Sequence, residues 1–269
     1  MGQKTGKGAI IGKGRAAEVF AWGDGQALKL FRNPATPVAE VEREFHTTAA
    51  VHKAGLPAPA VDRMVEVEGR PGIVFERIEG PTMSQAMLGA PFSLFQMAGG
   101  MAELHAAMHS CELPDLPARR DRLEFGIRAA EALTPDTREA VLKALAQLPD
   151  GDTVCHGDLW PDNVIMSPRG PIIIDWAGAA RGDPLADVAR TWLLNRLTNL
   201  PLGLPERKLA NSMRAHFHSA YLSRYLKLRP GSRKQIAAWL LPVVAARLHE
   251  RDTEAEWPKL LRFIEDRIG

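Results

Sequence analysis

Short apolar runs separated by turn residues recur over much of the first eighty residues. Such runs are typical of short strands, and the Asp-Gly pair at positions 24 and 25 adds a hairpin turn. Residues 38–54 instead have helical spacing and end at Gly55. The pattern predicts a five-stranded antiparallel sheet with one helix. The predicted strands are residues 9–12, 18–22, 27–31, 61–67 and 73–77.

After a predicted hinge around Gly80 and Pro81 the spacing becomes helical. We therefore predict two domains, residues 1–80 with the sheet and residues 81–269 with most of the helices. The helices predicted in the second domain are residues 82–88, 92–109, 119–132, 135–148, 185–197, 205–227, 234–250 and 254–268.

Residues 153–178 interrupt the helical pattern with two short apolar runs, 164–166 and 172–174, on either side of a Ser-Pro-Arg-Gly turn. This arrangement predicts a β-hairpin with Asp158, Asn163 and Asp175 gathered at one end. Amide and carboxylate oxygens are hard ligands that suit Mg²⁺ and phosphate chemistry. The spacing from His156 through Asp158 to Asn163 matches the catalytic loop of kinases, with Gly157 in the place of its Arg.

Taken together, these features resemble the aminoglycoside phosphotransferase and choline kinase-like family, from about residue 12 to at least residue 192. The resemblance implies an α+β, protein-kinase-like fold of two lobes. The N-terminal lobe would hold the five-stranded antiparallel sheet and one helix. The C-terminal lobe would be mainly helical, with the catalytic loop, its β-hairpin and the acceptor site.

The resemblance also implies a nucleotide site in the N-terminal lobe. Residues 12–19 resemble the kinase Gly-rich loop, with Gly12 and Gly14 near the phosphates and Val19 against the adenine, although a plain hairpin turn has the same pattern. Lys29 matches the lysine of the third strand, and a lysine in an apolar strand needs a partner. Glu44 is our choice for that partner and Glu40 the alternative. The backbone near Glu76 and Ile78 resembles the hinge strand that binds adenine.

In the catalytic loop the resemblance implies that Asp158 is the catalytic base. Asn163 and Asp175 would hold Mg²⁺. His156 is expected to be a structural clamp on the loop. Further structural support is expected from Asp183, as the cap of the following helix, and from Asp187, as a brace.

A short connection after Asp175 bears on the acceptor. The next predicted helix starts about ten residues later, without the long activation segment and Ala-Pro-Glu of protein kinases, so a small-molecule acceptor is favoured. In this family acidic groups of the late helices often bind cationic acceptors. Glu250 and Trp257 in the last third of the chain are therefore acceptor-binding candidates, and so is Trp192 on the helix after Asp187. A solvated acidic loop is the alternative for the late acidic residues.

Composition excludes some classes of protein. The 269 residues have a formal net charge of +2 at pH 7, too small to indicate nucleic acid, and no apolar run is long enough for a membrane span. Two cysteines are too few for a secreted disulfide scaffold, so we expect a cytoplasmic protein. The expected assembly is a monomer or a weak dimer.

The sequence thus predicts a phosphotransferase that uses ATP (or GTP) and Mg²⁺ to phosphorylate a hydroxyl group of a small molecule. The acceptor could be an aminoglycoside, another antibiotic, or an amino-alcohol or sugar metabolite. A nucleotide-binding pseudokinase or scaffold is the first alternative. A protein kinase is the second.

Overall fold

The structure is a computed structural model that describes residues 6–198, 204–250 and 253–268. The elements along the chain are β1 (Lys7–Lys13), β2 (Ala17–Trp22), β3 (Gln26–Phe31), α1 (Val38–Lys53), β4 (Val61–Val67), β5 (Arg70–Glu76), α2 (Met83–Gly89), α3 (Leu94–Met108), α4 (Arg119–Ala129), α5 (Pro135–Ala146), β6 (Thr153–Cys155), β7 (Val164–Ser167), β8 (Gly170–Ile173), β9 (Ala180–Gly182), α6 (Pro184–Arg196), α7 (Leu204–Leu228), α8 (Arg233–Arg247) and α9 (Trp257–Ile268).

The first five strands form one antiparallel sheet in the order β1-β2-β3-β5-β4. The central strand, β3, buries residues on both faces. Leu28 and Leu30 pack with neighbours from β2 and β5 on one face, and Phe31 packs with Val41 of α1 on the other. The predicted sheet with its single helix is confirmed. Lys29 is thereby fixed in the middle of the sheet, with Val19 and Ile73 as its strand partners.

Helix α1 begins after Pro37 and ends before Gly55, as its sequence predicts. Gly55 has a φ of +81°, a left-handed conformation that favours glycine, and its N–H donates to the carbonyl of His52 at 2.9 Å. Burial of Val41, Glu44, Thr48 and their helix neighbours defines the face of α1 that packs onto the sheet. Glu44 is the only carboxylate among the residues that this helix buries.

The chain divides into two compact units, one of Met1–Ala86 and Asp162–Gly178, the other of Met87–Pro161 and Ala179–Gly269. The hairpin β7–β8 therefore groups with the sheet, although the sequence placed it with residues 81–269. Its backbone gives the physical reason, because Ile173 N donates to Pro57 O at 2.7 Å and Met166 N donates to Pro81 O at 2.9 Å. The two-lobe division with its boundary near Gly80 stays a prediction.

Gly80 lies where the first unit passes closest to its own hairpin. Its φ is +141°, and a Cβ at this position would lie 2.3 Å from the carbonyl oxygen of Met166. A larger residue is therefore excluded here without movement of the backbone. Immediately afterwards α2 begins with a capping box, in which Gln85 N donates to Thr82 Oγ1 and Thr82 N donates to Gln85 Oε1.

The second unit is mainly helical and has α6 and α8 at its centre. Every residue of α6 from Leu185 to Thr191 is buried, and α8 buries Trp239, Val243 and Val244 against its neighbours. A short antiparallel pair of strands, β6 and β9, lies beside these helices. Within the described ranges no helix is both long and apolar enough to cross a membrane.

Candidate active site

Lys29 joins two carboxylates of the first unit. Its Nζ donates to Glu44 Oε1 at 2.6 Å and to Asp175 Oδ1 at 2.9 Å. Burial disfavours the ammonium, but the charges of Asp175 and Glu44 outweigh burial and raise the pKa of Lys29. The ammonium therefore stays charged. Of the two candidate partners, the structure places Glu44 against the lysine, whereas Glu40 is only half-buried one turn earlier on α1.

Asn163 and Asp175 flank the two strands of the hairpin. The pairing of Val164 with Ile173 puts Asn163 and Ile174 opposite each other, and Ile174 N donates to Asn163 O at 2.9 Å. Asp175 follows directly, so the amide and the carboxylate lie at the same end of the hairpin, as the sequence predicts. Asp175 has a φ of +64°, a left-handed conformation that costs strain and that non-glycine residues adopt most often at functional sites.

The Gly-rich turn is a β-hairpin turn between β1 and β2. Gly12 pairs with Val19, and Gly14 N donates to Ala17 O at 2.9 Å. Neither glycine has a positive φ, so the turn itself does not require glycine at positions 12 or 14. Both are at least partly exposed. Their absence of side chains matters only if a ligand approaches the backbone, which is the role that the resemblance implies.

The end of β5 carries the residues expected near the adenine. Glu76 N donates to Ala60 O at 2.8 Å, and the Glu76 carboxylate accepts from Arg169 Nη2 at 2.6 Å. Ile78 lies two residues beyond the strand and is half-buried. The Glu76 N–H is thus engaged within the sheet, and the backbone beyond Glu76 is better placed to bind a base.

Asp158 belongs to the second unit, in the loop after β6. Its N–H donates to His156 Nδ1 at 3.2 Å, and its Oδ1 accepts from Arg190 Nη2 at 2.9 Å. Gly157 has a φ of +80°, so the loop takes a left-handed turn directly before Asp158. This conformation explains glycine in the position where the kinase spacing has Arg. His156 is fully buried, as expected of a structural clamp.

Helix α6 holds this loop with two side chains that lie one turn apart. Asp187 accepts from His156 N at 2.6 Å and from Gly157 N at 2.8 Å, and Thr191 Oγ1 donates to Leu159 O at 2.9 Å. These hydrogen bonds support the expectation that Asp187 is a brace, and that role stays a prediction. Asp183 N-caps the same helix, with its carboxylate accepting from Leu185 N at 2.6 Å.

Asp187 is itself held by two histidines of α3. His105 Nε2 lies 3.1 Å and His109 Nε2 lies 3.5 Å from Asp187 Oδ2, and the other ring nitrogens face Tyr221 and Tyr225 hydroxyls at 2.6 and 2.7 Å. Burial lowers the pKa of His109 to about 3, with His105 adding to the effect. The donor atoms of these two histidines and Asp187 are close enough to hold a metal. Asp187 also accepts hydrogen bonds from backbone N–H groups of the loop. The predicted role of a brace therefore accounts for this cluster without a metal.

The three acceptor-binding candidates have partners within the second unit. Glu250 accepts from Arg190 Nη1 at 2.6 Å and pairs with Arg247. Burial disfavours the Glu250 carboxylate, but the two arginines outweigh it and lower its pKa to about 2. Trp257 Nε1 donates to Thr253 Oγ1 at 3.2 Å. The Trp192 ring centroid lies 5.5 Å from that of Phe263.

Arg190 is the residue that sequence reasoning missed. Its side chain is 7% exposed and contacts both Asp158 and Glu250. The available signal was its position three residues after Asp187, which puts both on one face of α6. Its second partner is 60 residues away in sequence, beyond any local pattern.

The model of the phosphotransferase enzyme family matches residues 7–234. The aminoglycoside 3'-phosphotransferase of Streptomyces fradiae is 25% identical over 214 aligned residues, which cover 73% of this chain and 75% of that protein. The likeness extends over both units of the chain.

Solved structures give the same result for the fold. The streptomycin–ATP–APH(2")-IIa ternary complex has a TM-score of 0.61 at 16% identity and covers 98% of this chain and 92% of that chain. A choline/ethanolamine kinase family protein from Mesorhizobium loti has a TM-score of 0.60 at 18% identity, covering 98% of this chain and 87% of that chain. At these identities the likeness establishes the kinase-like fold.

Proposed function

Because the chain belongs to the phosphotransferase enzyme family and is a small-molecule kinase, we propose that it transfers the γ-phosphate of ATP or GTP to a hydroxyl group of its acceptor. The observation that carries the proposal is the half-buried Lys29 side chain, whose ammonium contacts both Glu44 and Asp175. A charged lysine held in the middle of a sheet by a helix carboxylate is the arrangement that kinases use to bind the α- and β-phosphates.

Nucleotide binding is assigned to the first unit. Lys29 would neutralise the phosphates, the Gly12–Gly14 turn would let the backbone approach them, and Val19 would pack on the base. Backbone groups between Glu76 and Ile78, other than the engaged Glu76 N–H, would bind the base. Structurally similar phosphotransferases form complexes with ATP and with GDP, which supports a nucleotide without deciding between adenine and guanine.

Asn163 and Asp175 fit a Mg²⁺ ion by the chemistry of their donor atoms. Both side chains offer an oxygen atom as a metal ligand at one end of the hairpin, and the Asp175 side chain is 45% exposed. Mg²⁺ prefers such ligands and keeps positions open for phosphate oxygens. When bound, the ion would neutralise charge on the transferred phosphoryl group.

Asp158 is assigned as the catalytic base. The acceptor hydroxyl oxygen would form a bond to the γ-phosphorus while its proton passes to the Asp158 carboxylate. The bond between the γ-phosphorus and the bridging oxygen breaks, and the nucleoside diphosphate leaves. His156, Asp183 and Asp187 are assigned to support of the loop and of α6.

The acceptor is a small molecule with a hydroxyl group. One relative is named for aminoglycosides and a structurally similar protein for choline or ethanolamine, and these names support an acceptor of this kind. Trp192 and Trp257 remain candidates for acceptor contact. A cytoplasmic location and a monomer or weak dimer also remain predictions. Burial raises the pKa of the Cys155 thiol well above its ordinary value, so this cysteine has no assigned chemistry.

A panel assay tests the proposal. The purified protein is incubated with Mg-ATP or Mg-GTP and single members of a panel of hydroxylated amines, sugars and antibiotics. Release of nucleoside diphosphate and the mass gain of one phosphoryl group on the acceptor are measured together. We expect both with at least one small molecule. Nucleotide binding without transfer would support the pseudokinase alternative, and transfer only to a generic protein substrate would support a protein kinase.

A further inference from the structure

We propose that Arg190 is the positioning residue of the Asp158 carboxylate, and that Glu250 orients Arg190 instead of binding the acceptor. This inference rests on the proposed function of Asp158 as the base. It replaces the expectation that Glu250 is an acceptor ligand.

Arg190 makes two hydrogen bonds to Glu250 and one to Asp158. Arg190 Nη1 and Nη2 donate to the two oxygens of Glu250 at 2.6 and 3.0 Å. Nη2 also donates to Asp158 Oδ1 at 2.9 Å. The Arg–carboxylate fork fixes the plane of the guanidinium, so the bond to Asp158 has a fixed direction.

Glu250 is fixed in turn by a second arginine. Arg247 at the end of α8 pairs with Glu250, and its Nε donates to Glu256 Oε2 at 3.0 Å. Arg247 is 2% exposed. Charges of alternating sign therefore connect Glu256, Arg247, Glu250, Arg190 and Asp158 in that order. Both oxygens of Glu250 are used by arginines, which leaves this carboxylate poorly suited to bind a cationic acceptor.

Arg190 has a functional consequence because a base must present one oxygen to the acceptor hydroxyl. With Oδ1 held by a charged hydrogen bond, the carboxylate keeps one rotamer and Oδ2 takes one position. Asp158 is 32% exposed, so water can solvate its Oδ1 if the arginine is removed. Loss of Arg190 should thus disorder the base more than it destabilises the fold. A misplacement of about 1 Å is sufficient to lower a rate on the order of 10²-fold.

The test is a kinetic cycle on the intact chain with the best acceptor from the panel. We expect Arg190→Met to lower kcat on the order of 10²-fold, with nucleotide and acceptor KM nearly unchanged. Arg190→Lys should recover part of the loss, because it retains the charge without the fork. In the Asp158→Asn background, Arg190→Met should have no further effect, since it acts through Asp158. Arg196→Met, at an exposed position at the end of the same helix, is the matched control.

Glu250→Gln tests the same inference through a second variant that leaves Arg190 in place. We expect it to lower kcat while the acceptor KM stays nearly constant. An increase of acceptor KM at constant kcat in either single variant would make these residues acceptor ligands and overturn the inference. Wild-type kcat in a folded Arg190→Met protein would also overturn it. A wild-type protein that phosphorylates no acceptor overturns the proposed function itself, and the inference falls with it.

Discussion

Among the candidate site residues, Lys29 has the surroundings that are most specific to binding an anionic ligand. Its side chain is 17% exposed and its ammonium contacts two carboxylates, of which Glu44 is 3% exposed. A single buried ion pair contributes little to stability, because desolvation offsets most of the attraction. A third charged group, the exposed Asp175, lies on the solvent side of the lysine. This asymmetry suits a lysine that also binds an anionic ligand.

Replacing Lys29 with Met should separate stability from binding. The Glu44 carboxylate then stays buried without its cation, and we expect the free energy of unfolding to fall by about 3–5 kcal/mol. Adding Glu44→Gln removes that charge and should restore most of the stability, while nucleotide affinity stays low. Urea denaturation and nucleotide titration measure both effects, with the exposed Glu42→Gln as control. Unchanged nucleotide affinity in Lys29→Met would contradict the role of Lys29.

We expect His218 to cause part of the loss of folding stability at low pH. It is buried on α7, and neither ring nitrogen has a hydrogen-bond partner within the described part of the chain. Burial lowers its pKa to about 4 from the ordinary 6.5, with Arg196 and Arg233 adding to the effect. A depressed folded-state pKa means that unfolding takes up a proton in this range. His218 therefore does not reduce the free energy of unfolding above pH 6.5, and it reduces that free energy progressively as the pH falls from 6.5 towards 4.

Replacing His218 with Leu should remove this contribution. We expect the free energy of unfolding at neutral pH to rise by about 1 kcal/mol, because buried unpaired polar atoms are lost. The decline of Tm between pH 6.5 and 4 should become shallower than in the wild type. Thermal unfolding at a series of pH values measures both, and exposed His46→Gln serves as control. An acid decline as steep as that of the wild type would show that His218 is not its source.

Most elements were predictable from local pattern, and the exceptions depend on distant contacts. The strands of the sheet, α1 and the hairpin follow from short apolar runs, helical spacing and turn residues. Strand β9 was missed because Ala180–Gly182 has no strand-like composition and is a strand only through its pairing with β6. The grouping of the hairpin with the sheet likewise depends on hydrogen bonds to Pro57 and Pro81.

The candidate site follows the same division. Lys29, Glu44, Asp158, Asn163 and Asp175 were identifiable because motif spacing marks them. Spacing places Arg190 on the same face of α6 as Asp187, but its contact with Asp158 depends on the packing of α6 against the loop. The same limit applies to the pairing of Glu250 with Arg190, which is 60 residues away in sequence.

Variants of Asp183, at the start of α6, test whether this residue caps the helix or contacts a substrate. Its carboxylate accepts from Leu185 N, and burial raises its pKa. We expect Asp183→Ala to lower the free energy of unfolding by about 1 kcal/mol, while Asp183→Ser retains most of the cap. Chemical denaturation of both variants measures the difference. A loss of activity in Asp183→Ala at wild-type stability would instead indicate contact with a substrate.

For the whole molecule, the assigned roles are distributed over both compact units. The first contains Lys29, Glu44, Asn163 and Asp175, which are assigned to nucleotide and metal. The second contains Asp158 with Asp187 and Arg190, which are assigned to the base and its support. The family match from residue 7 to residue 234 includes all of them. The central claim is therefore that one chain supplies the complete set for phosphoryl transfer.

The most direct test is phosphate transfer by the wild type and by Asp158→Asn, with Asp152→Asn as the control. Asp152 is an exposed carboxylate paired with Arg181 and has no assigned role. Phosphorylated acceptor is measured by mass at saturating nucleotide and acceptor. We expect wild-type turnover in Asp152→Asn and a loss of at least about 10²-fold in Asp158→Asn, by the scale of general-base catalysis. Full turnover in Asp158→Asn would contradict the account.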